Sequence, residues 1–169
     1  MKVKQILITG ANGQLGTAIN RLSKKDKNLS FIFTDVDELD ITSSEALDNF
    51  FDKNPVDYIV NCAAYTAVDK AETDMEMAYL LNAMAPLNLL KQAEQHDAKL
   101  IHISTDYVFD GTSYSPYVES DTPNPQSRYG LTKLQGETNI SYSPNMMIIR
   151  TSWLYSAIGN NFVKTVLRL

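Results

Sequence analysis

The run Lys4-Gln-Ile-Leu-Ile-Thr9, followed directly by Gly10-Ala-Asn-Gly13-Gln-Leu-Gly16, decides the fold. Leu15, Ile19 and Leu22 then recur at helical spacing, so the stretch indicates a strand, a glycine loop and a helix. Loop glycines permit a tight turn and let backbone N–H groups approach a pyrophosphate at the helix N-terminus, where the helix dipole favours anions. The glycine spacing is G-x-x-G-x-x-G rather than G-x-G-x-x-G, and a purely structural turn is the alternative interpretation.

The same alternation of strand and helix continues along the chain. Further predicted strands are Leu29 to Thr34, a short third strand at Leu39-Asp40-Ile41, Val56 to Asn61, Leu100 to Ser104 and Met146 to Arg150. Helical segments are predicted after Ser43, from Asp74 to His96 with a kink or break at Pro86, and from Tyr129 to Ile140. This order predicts an α/β fold over residues 1–169, with a doubly wound parallel sheet in a three-layer αβα Rossmann arrangement.

Acidic and small side chains follow the second and fourth predicted strands. Asp35 comes 19 residues after Gly16, where an acid can accept hydrogen bonds from the ribose hydroxyls of NAD and would repel a 2′-phosphate. This favours NADH over NADPH. Small residues from Ala63 to Ala64, after Asn61, would let a flat cofactor lie against the backbone, although tight packing of a helix on the strand explains them equally well.

Tyr129-Gly-Leu-Thr-Lys133 places a phenol and an ammonium four residues apart, on one face of the predicted helix. A fixed positive charge favours the phenolate and moves the pKa of the tyrosine towards neutral pH, where it can act as an acid or base. Thr105 ends a buried strand, and residues at that end of a parallel sheet face the ligand crevice. By itself the spacing is more often an ordinary surface pair.

Composition excludes several classes of function. The net charge of −5 and a pI near 4.9 give no basic surface for nucleic acid or an anionic membrane. Cys62 is the only cysteine and His96 and His102 show no ligand spacing, so no disulfide and no metal site is expected. The sequence has no apolar signal region and no run long enough to span a membrane. We therefore expect a soluble, reduced, cytoplasmic protein.

Several motifs together resemble one enzyme family. They are the glycine loop, Asn61-Cys-Ala-Ala-Tyr-Thr-Ala-Val-Asp-Lys-Ala-Glu72, Ser104-Thr-Asp-Tyr-Val-Phe-Asp-Gly111, Tyr129-Gly-Leu-Thr-Lys133 and Arg150-Thr-Ser-Trp153. The glycine loop and the Tyr-x-x-x-Lys spacing are shared by all extended short-chain dehydrogenase/reductases. The other three motifs are similar to those of the dTDP-4-dehydrorhamnose reductases within them.

The resemblance implies a reaction and a set of site residues. Members reduce the C4 ketone of dTDP-4-dehydro-β-L-rhamnose to dTDP-β-L-rhamnose with NADH or NADPH, in dTDP-rhamnose biosynthesis. By matching positions, Tyr129 would donate the proton, Lys133 would bind the nicotinamide ribose and lower the pKa of the phenol, and Thr105 would bond the carbonyl oxygen. Cofactor contacts are expected at Gly10, Gly13, Gln14, Leu15, Gly16, Asp35, Asp40, Ile41, Ala63, Ala64, Tyr65, Thr66, Ile103, Tyr129 and Lys133. Substrate contacts are expected at Thr105, Asp106 and Trp153.

The resemblance leaves alternatives open. Another sugar-nucleotide epimerase or dehydratase could use this scaffold, although Asp106 is followed by Tyr107 and lacks the adjacent acid of the dehydratases. A non-catalytic NAD(P)-binding regulatory subunit of the methionine adenosyltransferase type is the second alternative. Members run on for roughly a further hundred residues, the scale of a small second domain, so we expect this chain to hold the cofactor domain without the C-terminal substrate domain. Some members dimerise, and a homodimer is one expected assembly.

Overall fold

A parallel five-stranded sheet forms the centre of the computed structural model, which describes residues 3–26, 28–159 and 161–168. Its strands are β1 (Lys4–Thr9), β2 (Leu29–Thr34), β3 (Tyr58–Asn61), β4 (Lys99–Thr105) and β5 (Met146–Thr151). Their spatial order is β2-β1-β3-β4-β5, and all four neighbouring pairs are parallel. The bounds of β1 and β2 agree with those predicted from the sequence.

Helices lie on both faces of the sheet. They are α1 (Gln14–Ser23), α2 (Ser44–Phe51), α3 (Val68–Ala71), α4 (Met75–Tyr79), α5 (Ala85–Gln95), α6 (Arg128–Ile140) and α7 (Phe162–Val166). Along the sheet, the connection from β1 to β2 runs in one direction and the connections from β2 through β5 run in the opposite direction. Because crossovers between parallel strands are right-handed, α1 lies on one face of the sheet and α2, α5 and α6 lie on the other. The main core agrees, since it packs α2, α5 and α6 residues such as Leu47, Leu89 and Ile140 against Ile59 and Leu100. The predicted doubly wound α/β fold is confirmed.

The reversal of strand order opens a crevice between the ends of β1 and β3. Doubly wound sheets bind ligands at such a switch point, outside the carboxyl ends of the strands. Gly10 follows β1 with φ of 63°, and a Cβ there would lie 2.6 Å from the backbone nitrogen of Ala63, which follows β3. The two loops therefore approach each other more closely than a side chain at position 10 would allow.

Leu39-Asp40-Ile41 is not a strand, so this prediction was wrong. The Asp40 carboxylate accepts hydrogen bonds from the backbone and the hydroxyl of Thr42, at 2.9 and 2.7 Å, and the backbone of Leu39 bonds Asp35. These local turn bonds replace a sheet ladder. Leu39 and Ile41 nevertheless point into the core, and that burial produced the strand-like alternation.

The helical segment around Pro86 contains the predicted break. A π turn at Leu80–Met84 joins α4 to α5, and Pro86, which has no backbone N–H, follows it within α5. The side chain of Asn82 in this turn bonds both backbone groups of Tyr65 and the hydroxyl of Thr132. The turn therefore ties the loop after β3 to α6. At the C-terminus, the chain forms the short helix α7, and Leu169 itself lies outside the described residues.

Candidate active site

A cleft of about 970 Å³ lies at the carboxyl ends of the strands. Most residues that the sequence predicted for cofactor, substrate or catalysis line it together. They are Gly10, Gly13, Gln14, Leu15, Asp35, Asp40, Ile41, Ala63, Ala64, Thr66, Ile103, Thr105, Asp106, Tyr129, Lys133 and Trp153. The structure thus brings the glycine loop and the Tyr-x-x-x-Lys helix to the same cavity.

Two predicted cofactor residues lie behind this wall. Gly16 is buried in α1, where a Cβ would meet the carbonyl oxygen of Gly10 at 2.5 Å, so it lets the helix pack on its own loop. Tyr65 directs its hydroxyl to a carboxylate oxygen of Asp74, at 3.1 Å, and packs against Ala71, Ala78 and Tyr129. Both residues shape the cleft without lining it.

The N-terminus of α1 is built differently from those of α2 and α6. Ser43 caps α2 and Ser127 caps α6 by accepting hydrogen bonds from backbone N–H groups of the first turn. Gly13 occupies the equivalent position of α1 and supplies no side-chain cap, while its loop lines the cleft. The first N–H groups of a helix have no partner within the helix. This terminus is therefore suited to an anion such as a pyrophosphate.

Asp35 joins the cleft to the glycine loop. One of its carboxylate oxygens accepts from the backbone N–H of Asn12 at 2.9 Å, and the other from that of Val36 at 2.9 Å. Each oxygen keeps a further lone pair for a ligand hydroxyl. The carboxylate fixes the loop and places a negative charge at the end of β2, as the sequence predicted.

Tyr129 stands in the first turn of α6 beside Thr105. Its ring meets that of Tyr107 edge-on, with centroids 5.5 Å apart. Burial raises the pKa of the Tyr129 phenol above its ordinary value, and a hydrogen bond with Thr105 works in the opposite direction. The hydroxyl of Thr105 also donates to Asp106 and accepts from the backbone N–H of Tyr107, at 3.1 and 3.2 Å. The phenol is thus held in its protonated form at neutral pH.

Lys133 lies one turn further along α6 and is only 1% exposed. Its ammonium donates to the backbone carbonyl of Ile103 at 2.7 Å and lies 3.3 Å from Nε2 of His102. Burial lowers the pKa of Lys133 to about 8, although the charge of Glu137 raises it. The sequence predicted that this lysine lowers the pKa of Tyr129, whereas burial of the phenol dominates in this structure.

A buried ionic cluster fixes α6 against the sheet. Glu137 accepts hydrogen bonds from Arg150 on β5, at 2.7 to 3.3 Å, and from the hydroxyl of Ser104 on β4, at 2.5 Å. The guanidinium also lies 5.0 Å from the ring centre of Phe109. These contacts set the position of the helix that carries Tyr129 and Lys133.

The two other predicted substrate residues lie at the rim of the cleft. Asp106 accepts a hydrogen bond from Ser152 at 2.7 Å, which ties the loop after β4 to the loop after β5. Trp153 is 63% exposed and packs edge-on against Phe162, with ring centres 5.1 Å apart. Its indole therefore keeps a large free surface beside the cavity.

Sequence reasoning missed Asn61, His102 and Glu137 as parts of the site. Asn61 was noted only as a strand end, and no local motif marks the other two. The parallel register places Asn61 beside His102 on adjacent strands, and this register is the signal that could have found that pair. Gly159 and Leu154, after β5, also line the cleft and were not predicted.

The described residues hold neither a metal-binding group nor a membrane-spanning helix. Within residues 3–26, 28–159 and 161–168, no group of three or more histidine, cysteine, aspartate or glutamate side chains could hold a metal ion. No helix in the described part of the chain has the length and apolar character needed to cross a membrane.

The fold and the cleft define a class, the Rossmann-type α/β domains with a parallel sheet and a cleft at the carboxyl ends of its strands. The chain belongs to the family described as the RmlD substrate binding domain, whose model matches residues 4–169. It is 41% identical over 166 residues to dTDP-4-dehydrorhamnose reductase of Aggregatibacter actinomycetemcomitans, covering 98% of this chain and 56% of that protein. The resemblance inferred from the motifs is confirmed.

Two crystal structures support the same relationship. A dTDP-4-dehydrorhamnose reductase of Clostridium acetobutylicum superposes with a TM-score of 0.92 at 50% identity, over 97% of this chain and 58% of that one. A dTDP-4-dehydrorhamnose reductase of Bacillus anthracis in complex with NADP gives a TM-score of 0.91 at 38% identity, over 99% and 59%. The chain therefore spans a little over half the length of these relatives.

Proposed function

We propose that this chain forms the cofactor and acid–base half of a dTDP-4-dehydrorhamnose reductase. The observation that carries the proposal is the convergence of Thr105, Tyr129 and Lys133 on the cleft that the glycine loop also lines. The reaction would reduce the C4 ketone of dTDP-4-dehydro-β-L-rhamnose to the alcohol of dTDP-β-L-rhamnose.

The residues present fit a reduced nicotinamide dinucleotide, NADH or NADPH. The uncapped N-terminus of α1 would hold the pyrophosphate, because its N–H groups and dipole favour an anion. Asp35 would accept from the adenosine ribose, and Lys133 would bind the nicotinamide ribose. When bound, the cofactor supplies the hydride that adds to the C4 carbon.

Tyr129 would supply the proton that completes the reduction. Its raised pKa keeps the phenol protonated at neutral pH, so it can donate to the oxygen of C4 as the carbonyl becomes an alkoxide. Thr105, which lines the cleft beside Tyr129, would orient the same oxygen and stabilise its developing charge. Tyr129 then recovers a proton from solvent.

Substrate binding would use both the rim of the cleft and further protein. Asp106 and the exposed face of Trp153, which both line the cleft, would contact the sugar nucleotide. We further propose that the portion of the relatives' length that this chain does not span completes the sugar-nucleotide pocket. A homodimer and a cytoplasmic location belong to the proposal as well.

The test is turnover by the whole protein that contains this chain, with Tyr129→Phe as the variant. The ketosugar is mixed with NADH or NADPH, and loss of the reduced cofactor's absorbance is followed. We expect Tyr129→Phe to lower kcat by at least about a hundredfold and to leave the Kd for the cofactor nearly unchanged, because only the proton donor is removed. Tyr142→Phe, which alters a tyrosine that is 65% exposed, is the control.

Wild-type turnover by Tyr129→Phe would contradict the assigned role. Cofactor binding without turnover by the wild-type protein would favour a regulatory subunit or a different sugar-nucleotide reaction.

A further inference from the structure

A chain of buried polar side chains leads across three strands to Lys133. The hydroxyl of Thr9 donates to Oδ1 of Asn61 at 2.8 Å, and Nδ2 of Asn61 lies 3.1 Å from Nδ1 of His102. The other ring nitrogen of His102 is the one that faces Lys133. Each of these four side chains is at most 1% exposed, namely those of Thr9, Asn61, His102 and Lys133. Their polar atoms must therefore be satisfied by hydrogen bonds within the protein and not by bulk water.

The orientation of the Asn61 amide is fixed by a group that can only donate. The backbone N–H of Ala63 bonds Oδ1 of Asn61 at 3.1 Å, so the amide NH₂ must face His102. An amide nitrogen has no acceptor capacity, and therefore Nδ1 of His102 must be unprotonated. Burial and the charge of Lys133 lower the pKa of His102 well below its usual value, so the ring is neutral. A neutral ring with a bare Nδ1 carries its proton on Nε2.

This tautomer directs an N–H at the amine of Lys133. An ammonium has three donors and no acceptor, so its contact with Nε2–H would oppose two donors. A neutral amine has a lone pair that can accept from Nε2–H, while its own N–H still bonds the carbonyl of Ile103. Glu137, also on α6, is the charged group that acts in the opposite direction and favours the ammonium.

We propose that His102 is a positioning residue for Lys133, held by Asn61 as the Nε2–H tautomer and thereby favouring the uncharged amine. Its place in catalysis rests on the proposed reductase function, in which Lys133 would bind the nicotinamide ribose beside Tyr129. His102 is not among the residues that line the cleft, and it acts through the proton of Lys133. Asn61 acts one step further away, by choosing the tautomer.

The tautomer can be read directly in the unmodified chain. With ¹⁵N-labelled histidine, NMR distinguishes a protonated from an unprotonated ring nitrogen, and His96→Gln assigns the two histidines. We expect Nδ1 of His102 to be unprotonated and Nε2 to be protonated. A proton on Nδ1, or on both nitrogens, would overturn the proposal.

Two variants test the effect on Lys133, whose titration is followed with ¹³Cε-labelled lysine and assigned with Lys133→Arg. His102→Phe keeps a ring but removes the N–H, so the proton affinity of Lys133 should rise about tenfold, or one pKa unit. Asn61→Asp offers His102 an acceptor, so its proton should move to Nδ1. An unchanged or lower pKa of Lys133 in His102→Phe, or a proton that stays on Nε2 in Asn61→Asp, would refute the proposal.

These readouts need neither substrate nor cofactor. Failure of the reductase function would appear as absent turnover with the tautomer as expected, whereas failure of this inference would appear in the NMR spectra of an active enzyme. His96→Gln serves as the control and should leave the titration of Lys133 unchanged.

Discussion

Lys133 combines a charge with nearly complete burial, two properties that oppose each other. The carbonyl of Ile103 and the nearby Glu137 favour its ammonium, while burial favours the neutral amine. Tyr129 is shifted by burial too, towards the protonated phenol. At the residue scale, the site is therefore a pair of groups, Tyr129 and Lys133, whose pKa values are both shifted mainly by burial.

This burial makes stability depend on pH in a defined direction. The pKa of Lys133 falls from 10.5 in the unfolded chain to about 8 in the folded one, so between these values the unfolded state binds the extra proton. The free energy of unfolding should then rise with pH through this window, by up to about 1.4 kcal/mol per unit from this residue. Urea unfolding of the wild type and of Lys133→Met, from about pH 7 to about pH 10, isolates the contribution. The free energy of unfolding of the wild type minus that of Lys133→Met should rise with pH. A value that stays flat or falls would contradict the lowered pKa.

Asp35 should influence the choice of nicotinamide. Its carboxylate would repel the 2′-phosphate of NADPH, and Asp35→Asn removes the charge while keeping an oxygen for the N–H of Asn12. We expect the ratio of kcat/KM for NADPH over NADH to rise roughly tenfold, equivalent to about 1.4 kcal/mol. Asp37→Asn changes an exposed acid two residues further on, outside the cleft lining, and should leave the ratio unchanged. An equal ratio in Asp35→Asn and wild type would show that the charge does not select the cofactor.

Residue-scale prediction from the sequence succeeded where a short motif carries the chemistry. Gly10 and Gly13 of the glycine loop line the cleft as expected, as do Asp35, Thr105 and the Tyr129 and Lys133 pair. Asn61, His102 and Glu137 escaped prediction because each acts through a partner on another element, fixed by strand register or helix packing. The raised pKa of Tyr129 escaped for the same reason, since burial is a property of the packed chain.

At the scale of elements, close approach of α6 to the π turn positions the Tyr-x-x-x-Lys helix. Gly136 faces this turn, and a Cβ there would lie 2.1 Å from the carbonyl oxygen of Asn82. The alternation of strand and helix predicted both neighbours, including the break near Pro86. It failed at Leu39 to Ile41, where the carboxylate of Asp40 favours a turn over a three-residue strand.

Gly136→Ala tests this packing. Alanine in a helix ordinarily stabilises by about 1 kcal/mol relative to glycine, but the clash with Asn82 should destabilise the chain by roughly 1 to 3 kcal/mol. Gln135→Ala, at an exposed position of the same helix, is the control and should stay within about 0.5 kcal/mol of wild type. Chemical denaturation measures both variants. A stabilised Gly136→Ala protein would show that α6 has room to move away from the π turn.

At the scale of the whole molecule, the sheet order brings together parts of the chain that are far apart in sequence. The glycine loop follows β1, whereas Thr105 ends β4 and Tyr129 lies in the first turn of α6. All of them nevertheless reach the cleft at the carboxyl ends of the strands. Handedness and the switch-point rule explain this convergence, so the position of the cleft follows from the order of elements alone.

Hydride transfer to the C4 carbon of the ketosugar is the central claim, and isotope transfer tests it most directly. The whole protein is incubated with dTDP-4-dehydro-L-rhamnose and a reduced nicotinamide that carries deuterium at the transferred position. NMR and mass spectrometry then locate the label in the product. We predict dTDP-rhamnose with deuterium at C4, formed by the wild type and at least about a hundredfold more slowly by Tyr129→Phe. Bound cofactor with no transfer of label to the sugar would contradict the account.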